Sequence, residues 1–140
     1  MTKNATPEPA HGSATVLIDR EIDWDDVERS KRRSGDKDAL VAAARKVGAR
    51  RKKLARGEQG FFMNRSAFPP NFRVPPHHHT HDELLVVLRG GCRFDGELAD
   101  LGPDDSIVIP AGLRYGFECG PDGMEMLTIR TAEADFTIES

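Results

Sequence analysis

Pro75-Pro-His-His-His-Thr-His-Asp-Glu-Leu-Leu-Val-Val-Leu-Arg-Gly90 places four histidines and an acidic pair directly before an apolar run. The histidines lie mid-chain, between a Pro-Pro and the strand-like stretch Leu84 to Leu88, so they are not a terminal purification tag. In an extended segment alternate side chains share a face, which sends His77 and His79 one way and His78 the other. Glu83 has the parity of Leu85 and Val87, so its carboxylate begins a strand whose inner face is otherwise apolar. Two imidazoles and one carboxylate then converge. That donor set suits Fe(II), Mn, Ni, Co or Zn rather than Ca or Mg, which prefer all-oxygen shells. The bland alternative is a solvated loop of individually satisfied histidines, and the parity and the flanking strand argue against it.

His77-x-His79-x3-Glu83-x6-Gly90 resembles the first motif of the cupins, and Leu101-Gly-Pro-Asp-Asp-Ser-Ile-Val-Ile-Pro110-Ala-Gly112-Leu-Arg-Tyr115-Gly-Phe117 resembles the second. The resemblance spans about Arg50 to Thr131, and two ordered motifs are far more specific than either alone. It implies an all-β fold, the cupin double-stranded β-helix or jelly-roll barrel, with the metal inside. The pattern is broken at one point. Where the second motif ordinarily ends in histidine, this chain has Tyr115. A phenol ligates poorly unless it loses its proton, although a nearby cation helps it to do so. Tyr115 is therefore a phenolate ligand, a hydrogen-bonding acid beside the metal, or a core aromatic. His81, two residues from both His79 and Glu83, replaces the missing imidazole, acts as a base, or lies on the rim.

A chain of 140 residues accommodates one such domain, and a net charge of -3 gives no steering toward nucleic acid or membrane. Cys92 and Cys119 are the only cysteines and form no C-x-x-C pair. With a polar start lacking an apolar signal region, the cytoplasm is the expected compartment. Cys119 shares the parity of Tyr115 and Phe117, and a buried inert thiol is its expected state. No apolar run is long enough to span a bilayer.

The expected organisation is a disordered tail over residues 1–14, a strand and helical segment over 15–49, the cupin domain over 50–132 and a C-terminal tail over 133–140. Thr15 to Ile22 reads as the strand, which in cupins often pairs with a partner subunit, so the resemblance implies a homodimer. Trp24 plugs the barrel end or anchors to the surface. Asp36 to Val47 reads as a short helix, with acids at its start, Leu40, Ala43, Ala44 and Val47 on one face, and Arg45 and Lys46 near its end. The basic cluster from Arg45 to Arg56 hints at nucleic acid, but without interleaved aromatics a solvated helix end running into an edge strand explains it. Phe61 to Phe68 reads as a strand with polar groups on both faces. Arg65 inward favours an anionic substrate, and Asn64 inward a neutral hydrogen-bonding one. Short strands are expected at Cys92 to Asp95 and Glu97 to Leu101, and a turn at Gly120 to Gly123 between two further strands.

The expected function is metal-dependent. His77, His79 and Glu83 hold one divalent transition metal, Fe(II) favoured, with Tyr115 and His81 as catalytic candidates. Two histidines and a carboxylate leave open positions, as in non-haem Fe(II) oxygenases. A dioxygenase-like reaction on a small, largely apolar molecule is the leading expectation, because Leu85, Val87 and Phe117 share faces with the ligands. Redox-neutral isomerase, cyclase or lyase chemistry and a non-catalytic sensor are the alternatives.

Overall fold

Short apolar-alternating segments punctuated by Gly and Pro build an all-β architecture in the computed structural model, which describes residues 13–24, 39, 42–44, 46–133 and 136–138. The strands are β1 (Arg50–Arg56), β2 (Phe62–Phe68), β3 (Arg73–His79), β4 (Glu83–Phe94), β5 (Asp100–Leu101), β6 (Ser106–Ile109), β7 (Tyr115–Arg130) and β8 (Phe136–Ile138). They follow the order β1-β2-β7-β3-β8, with β4 pairing β5, β6 and β7.

The two longest strands change partners midway, as a jelly roll requires. The 124–130 half of β7 lies against β2 and the first half of β4. Its 115–119 half lies against β3 and the end of β4. The register jumps from Gly90↔Met124 to Cys92↔Cys119, so the turn expected at 120–123 is an irregularity within one strand. β4 likewise runs through Gly90-Gly91 without breaking. Gly90 has φ 71°, and a Cβ there would overlap the Gly123 carbonyl oxygen, so the glycines let two backbones touch where the sheet folds. The second short strand expected after Gly91 shrinks to Asp100–Leu101 behind a 3-10 turn at Asp95–Glu97.

Inward residues of β4, β6 and β7 form the core: Leu85, Val87, Phe94, Ile109, Phe117, Met124 and Met126, with Cys92, Cys119 and Tyr115. Burial pushes the Cys92 thiol up to about 11 and the Cys119 thiol up to about 12, which keeps both protonated. On β2 the parity is decided by register. Asn64 lies opposite Thr128 and Ser66 opposite the core residue Met126, so Asn64 and Ser66 face the interior. Arg65 faces the other way, where Nη2 donates to Glu125 Oε1 at 2.7 Å.

Three expectations at the chain ends change. Residues 13–18 have no regular structure and Asp19–Glu21 form a 3-10 turn, so the strand expected from Thr15 to Ile22 is not formed. Its carbonyls are captured by a side chain instead: Lys52 Nζ donates to the Asp19 oxygen at 3.0 Å and to the Ile22 oxygen at 3.2 Å. The same ammonium lies 4.5 Å from the centre of the Trp24 ring, so Trp24 anchors this segment to β1. Lys52 is thereby only 5% exposed and is withdrawn from the basic cluster. Residues 39, 42–44 and 46 are helical, and the Ala49 N–H closes that turn on the Ala44 oxygen at 3.0 Å. Val47 falls in the turn that follows, and the other residues of the expected helix, like residues 1–12 of the expected tail, lie outside the described residues. The C-terminal tail contains β8, which pairs with His77–His79 of β3 and extends the domain past its expected end.

Candidate functional site

β3 delivers His77 and His79 to the interior, each 8% exposed, with their ring centres 4.9 Å apart. Glu83 opens β4 at 2% exposure. The turn between the two strands is held by the second motif. Gly112, whose φ of 81° suits glycine, donates its N–H to the His79 oxygen at 2.8 Å, and the Ala111 N–H reaches Asp82 Oδ1 at 2.8 Å. The Pro-x-Gly turn thus clamps the histidine loop. Three residues on, Tyr115 begins β7 as the register partner of His77, with the rings 4.4 Å apart.

Glu83 is the hub. Tyr115 donates its hydroxyl to Oε1 at 2.7 Å, and Arg130 places Nε and Nη2 each 2.6 Å from Oε2. His79 Nε2 lies 3.3 Å from Oε1. Arg130, the last residue of β7 and 9% exposed, was not among the sequence candidates. Its signal was parity: it follows Met124, Met126 and Thr128 on the inward face, and a charge closing such a row needs a buried partner.

Protonation follows from these contacts. His77 Nδ1 lies 2.9 Å from the Pro75 carbonyl oxygen, which only accepts, so Nδ1 carries the hydrogen. Burial lowers the His77 pKa and favours the neutral ring, which leaves the lone pair on Nε2. Burial first, and then the Glu83 charge, raise the Tyr115 pKa far above its ordinary value. In these contacts Tyr115 is thus held as a neutral donor to Glu83. His81 does not join the site: it is exposed in the turn, with Nδ1 2.9 Å from Thr80 Oγ1. Leu85, Val87 and Phe117, the side chains behind the expectation of an apolar substrate, are packed into the core.

Among the described residues no group of three or more His, Cys, Asp or Glu side chains is gathered as a ready metal centre. Glu83 is drawn toward Arg130 and Tyr115 instead. The donor chemistry nevertheless fits a transition metal. A separation of 3.3 Å between His79 Nε2 and Glu83 Oε1 is close to that of two neighbouring ligands on one ion, about 3 Å for bonds near 2.1 Å. Arg130 occupies the other carboxylate oxygen, as partners that orient a one-oxygen ligand do.

The family profile described as "Cupin domain" matches residues 64–130, the stretch that contains this whole constellation. This chain belongs to the cupin superfamily. This cupin resembles KdgF from Halomonas sp., with a TM-score of 0.61 and 23% identity over 86% of this chain and 96% of that one. It also resembles the polyketide cyclase RemF from Streptomyces resistomycificus, with a TM-score of 0.57 and 26% identity over 66% of this chain and 71% of that one. An acireductone dioxygenase from Rhodopseudomonas palustris (strain TIE-1) is 47% identical over 47 residues, 29% of this chain. That match spans only 28% of the curated relative's length. Among the described residues no helix is long and apolar enough to cross a membrane.

Proposed function

We propose that this cupin is a metal-dependent enzyme acting on a small molecule, with His77, His79 and Glu83 holding one divalent transition metal ion. The carrying observation is the donor set: a neutral His77 with its lone pair on Nε2, beside His79 Nε2 and Glu83 Oε1, which lie 3.3 Å apart. Fe(II) is the favoured ion, with Mn, Ni, Co or Zn as alternatives. When bound, a ferrous ion with two imidazoles and one carboxylate supplies open positions for O₂ and substrate, and dioxygenase-like oxidation is the leading reaction class. The stretch shared with acireductone dioxygenase supports that class.

The chain's own residues have defined tasks. Arg130 fixes the Glu83 carboxylate and offsets its charge in a buried setting. The Pro75 carbonyl sets the His77 tautomer. Tyr115 holds a proton at its hydroxyl oxygen beside Glu83, a position from which it donates to a developing negative charge on substrate. That protonated phenol also favours a second reading, redox-neutral cyclase or lyase chemistry, and one structural neighbour is a polyketide cyclase.

Oxygen uptake on adding Fe(II) and acireductone or related enediols to metal-stripped protein tests the first reading. Turnover under strict anaerobiosis with no oxygen requirement replaces it with the second.

A further inference from the structure

The polar row that β2 and β7 turn inward has no part in holding Glu83. Asn64, Ser66 and Thr128 are 8%, 8% and 5% exposed, yet among the described residues none of their side chains has a hydrogen-bond partner. Buried polar side chains are ordinarily paired, because leaving one unpaired costs the desolvation of that group. Three such groups on one wall, Asn64 directly opposite Thr128 and Ser66 one step along, are not a packing accident. Nor are they sealed: their polar atoms are not among the fully occluded unpaired ones, so they stay within reach of a water molecule.

The row is continuous with the site. Thr128 lies two residues before Arg130 on the same face of β7, opposite Leu85 of β4, and Arg130 meets Glu83. Arg130 spends Nε and Nη2 on one carboxylate oxygen, which leaves the Nη1 donors for another acceptor. Its charge is matched by Glu83, and the other members of the row are uncharged.

We infer that Asn64, Ser66 and Thr128 form a specificity wall that binds the hydroxyl and carbonyl oxygens of a small, neutral, polyoxygenated substrate. The inference rests on the proposed reading that the barrel interior is the reaction site, and it replaces the apolar substrate expected from sequence. A pocket built to hydrogen-bond oxygens rejects an analogue that lacks them, because its own buried groups are then left unpaired.

The test compares 1,3-dihydroxyacetone with 3-pentanone, the same skeleton with each hydroxyl replaced by methyl. The side-chain amide resonances of Asn64 are followed by NMR, in metal-loaded and chelator-treated protein. Dihydroxyacetone is expected to shift those resonances with an apparent affinity at least about tenfold above that for 3-pentanone. The preference should be present with and without metal and lost in Thr128→Val, and in Asn64→Leu, which has no side-chain amide, the same loss should be read from the backbone amide of Thr128. Equal response to both probes, no response to dihydroxyacetone, or a preference surviving Thr128→Val overturns the proposal. A ligand-independent arm uses thermal unfolding. Thr128→Val keeps shape and removes an unpaired hydroxyl, so Tm should hold or rise by roughly 2–6 °C. A clear fall in Tm shows the hydroxyl to be structural and also overturns it. Metal content is measured separately on wild type and variants: an intact preference in a protein that takes up no metal defeats the metal-dependent reading and leaves the wall standing.

Discussion

Arg130 and Glu83, 47 residues apart in the chain, meet through contacts of 2.6 Å from Nε and Nη2 to a single carboxylate oxygen. Both are nearly removed from solvent. This pair holds the end of β7 to the start of β4 and sets which oxygen of Glu83 is turned to the histidines.

Breaking that pair on one side leaves a buried charge uncompensated. Arg130→Met is expected to destabilise the protein by roughly 3–5 kcal/mol in urea unfolding. The double variant Arg130→Met/Glu83→Gln should recover part of the loss, since the orphaned carboxylate is then neutral. A single variant within 1 kcal/mol of wild type would show that the charges are not coupled.

The histidine parity predicts an asymmetric metal response. His77→Ala and His79→Ala should each abolish stoichiometric uptake of Fe(II), Mn, Ni, Co or Zn, whereas His78→Ala, whose side chain leaves the opposite face, should keep it. Elemental analysis after dialysis decides, and near wild-type content in both His77→Ala and His79→Ala would remove the proposed centre. Glu83→Gln should weaken affinity by about tenfold or more while keeping the side-chain shape.

With Tyr115 proposed as a proton donor and not a ligand, the oxidised iron-loaded protein should show no phenolate charge-transfer band in the visible. Tyr115→Phe should retain metal, lose about 1.5–3 kcal/mol of stability with its bond to Glu83, and lose turnover rate. A visible band in wild type that disappears in Tyr115→Phe would make the residue a ligand after all.

Outside the site, Glu125 is gripped by Arg65 at 2.7 Å and Arg89 at 3.0 Å, which hold its pKa below the usual 4.5. A depressed folded-state pKa contributes stability that is complete above the unfolded value and lost as pH falls through the folded one. The urea midpoint should therefore drop below about pH 4.5 more steeply in wild type than in Glu125→Gln. Parallel pH profiles would show that the arginines do not stabilise the carboxylate.

A homodimer is also proposed. Among the described residues β1 pairs only with β2 and so stands at one end of the strand order, the place where a second chain would add. Light scattering at micromolar concentration should give twice the 15.5 kDa chain mass, and a monomer would reject the proposal.

Much of the centre was legible because its determinants are local. The two-residue period of an extended chain was enough to send His77 and His79 inward and His78 away, and to put Glu83 on the face of Leu85 and Val87. Pro110 and Gly112 marked a turn from their own backbone preferences. The same local rules misplaced the glycines. Gly90 and Gly123 looked like breaks in strands, yet they serve as points where two long strands cross backbone to backbone, which only their pairing reveals. Local rules also made Thr15 to Ile22 a strand, whereas Lys52, 33 residues after Asp19 and 30 after Ile22, took the carbonyls of both.

By itself the sequence determined the candidate donor residues, the barrel class and the turn that clamps the histidine loop, because each follows from side-chain chemistry and backbone periods within a few residues. Only the tertiary structure decided that Arg130 neutralises Glu83, that Tyr115 is a protonated donor to it, that His81 stays in solvent, and that Asn64 rather than Arg65 faces inward. Those outcomes depend on strand register and on the desolvation of groups brought together from distant parts of the chain, and neither quantity is encoded in any local stretch.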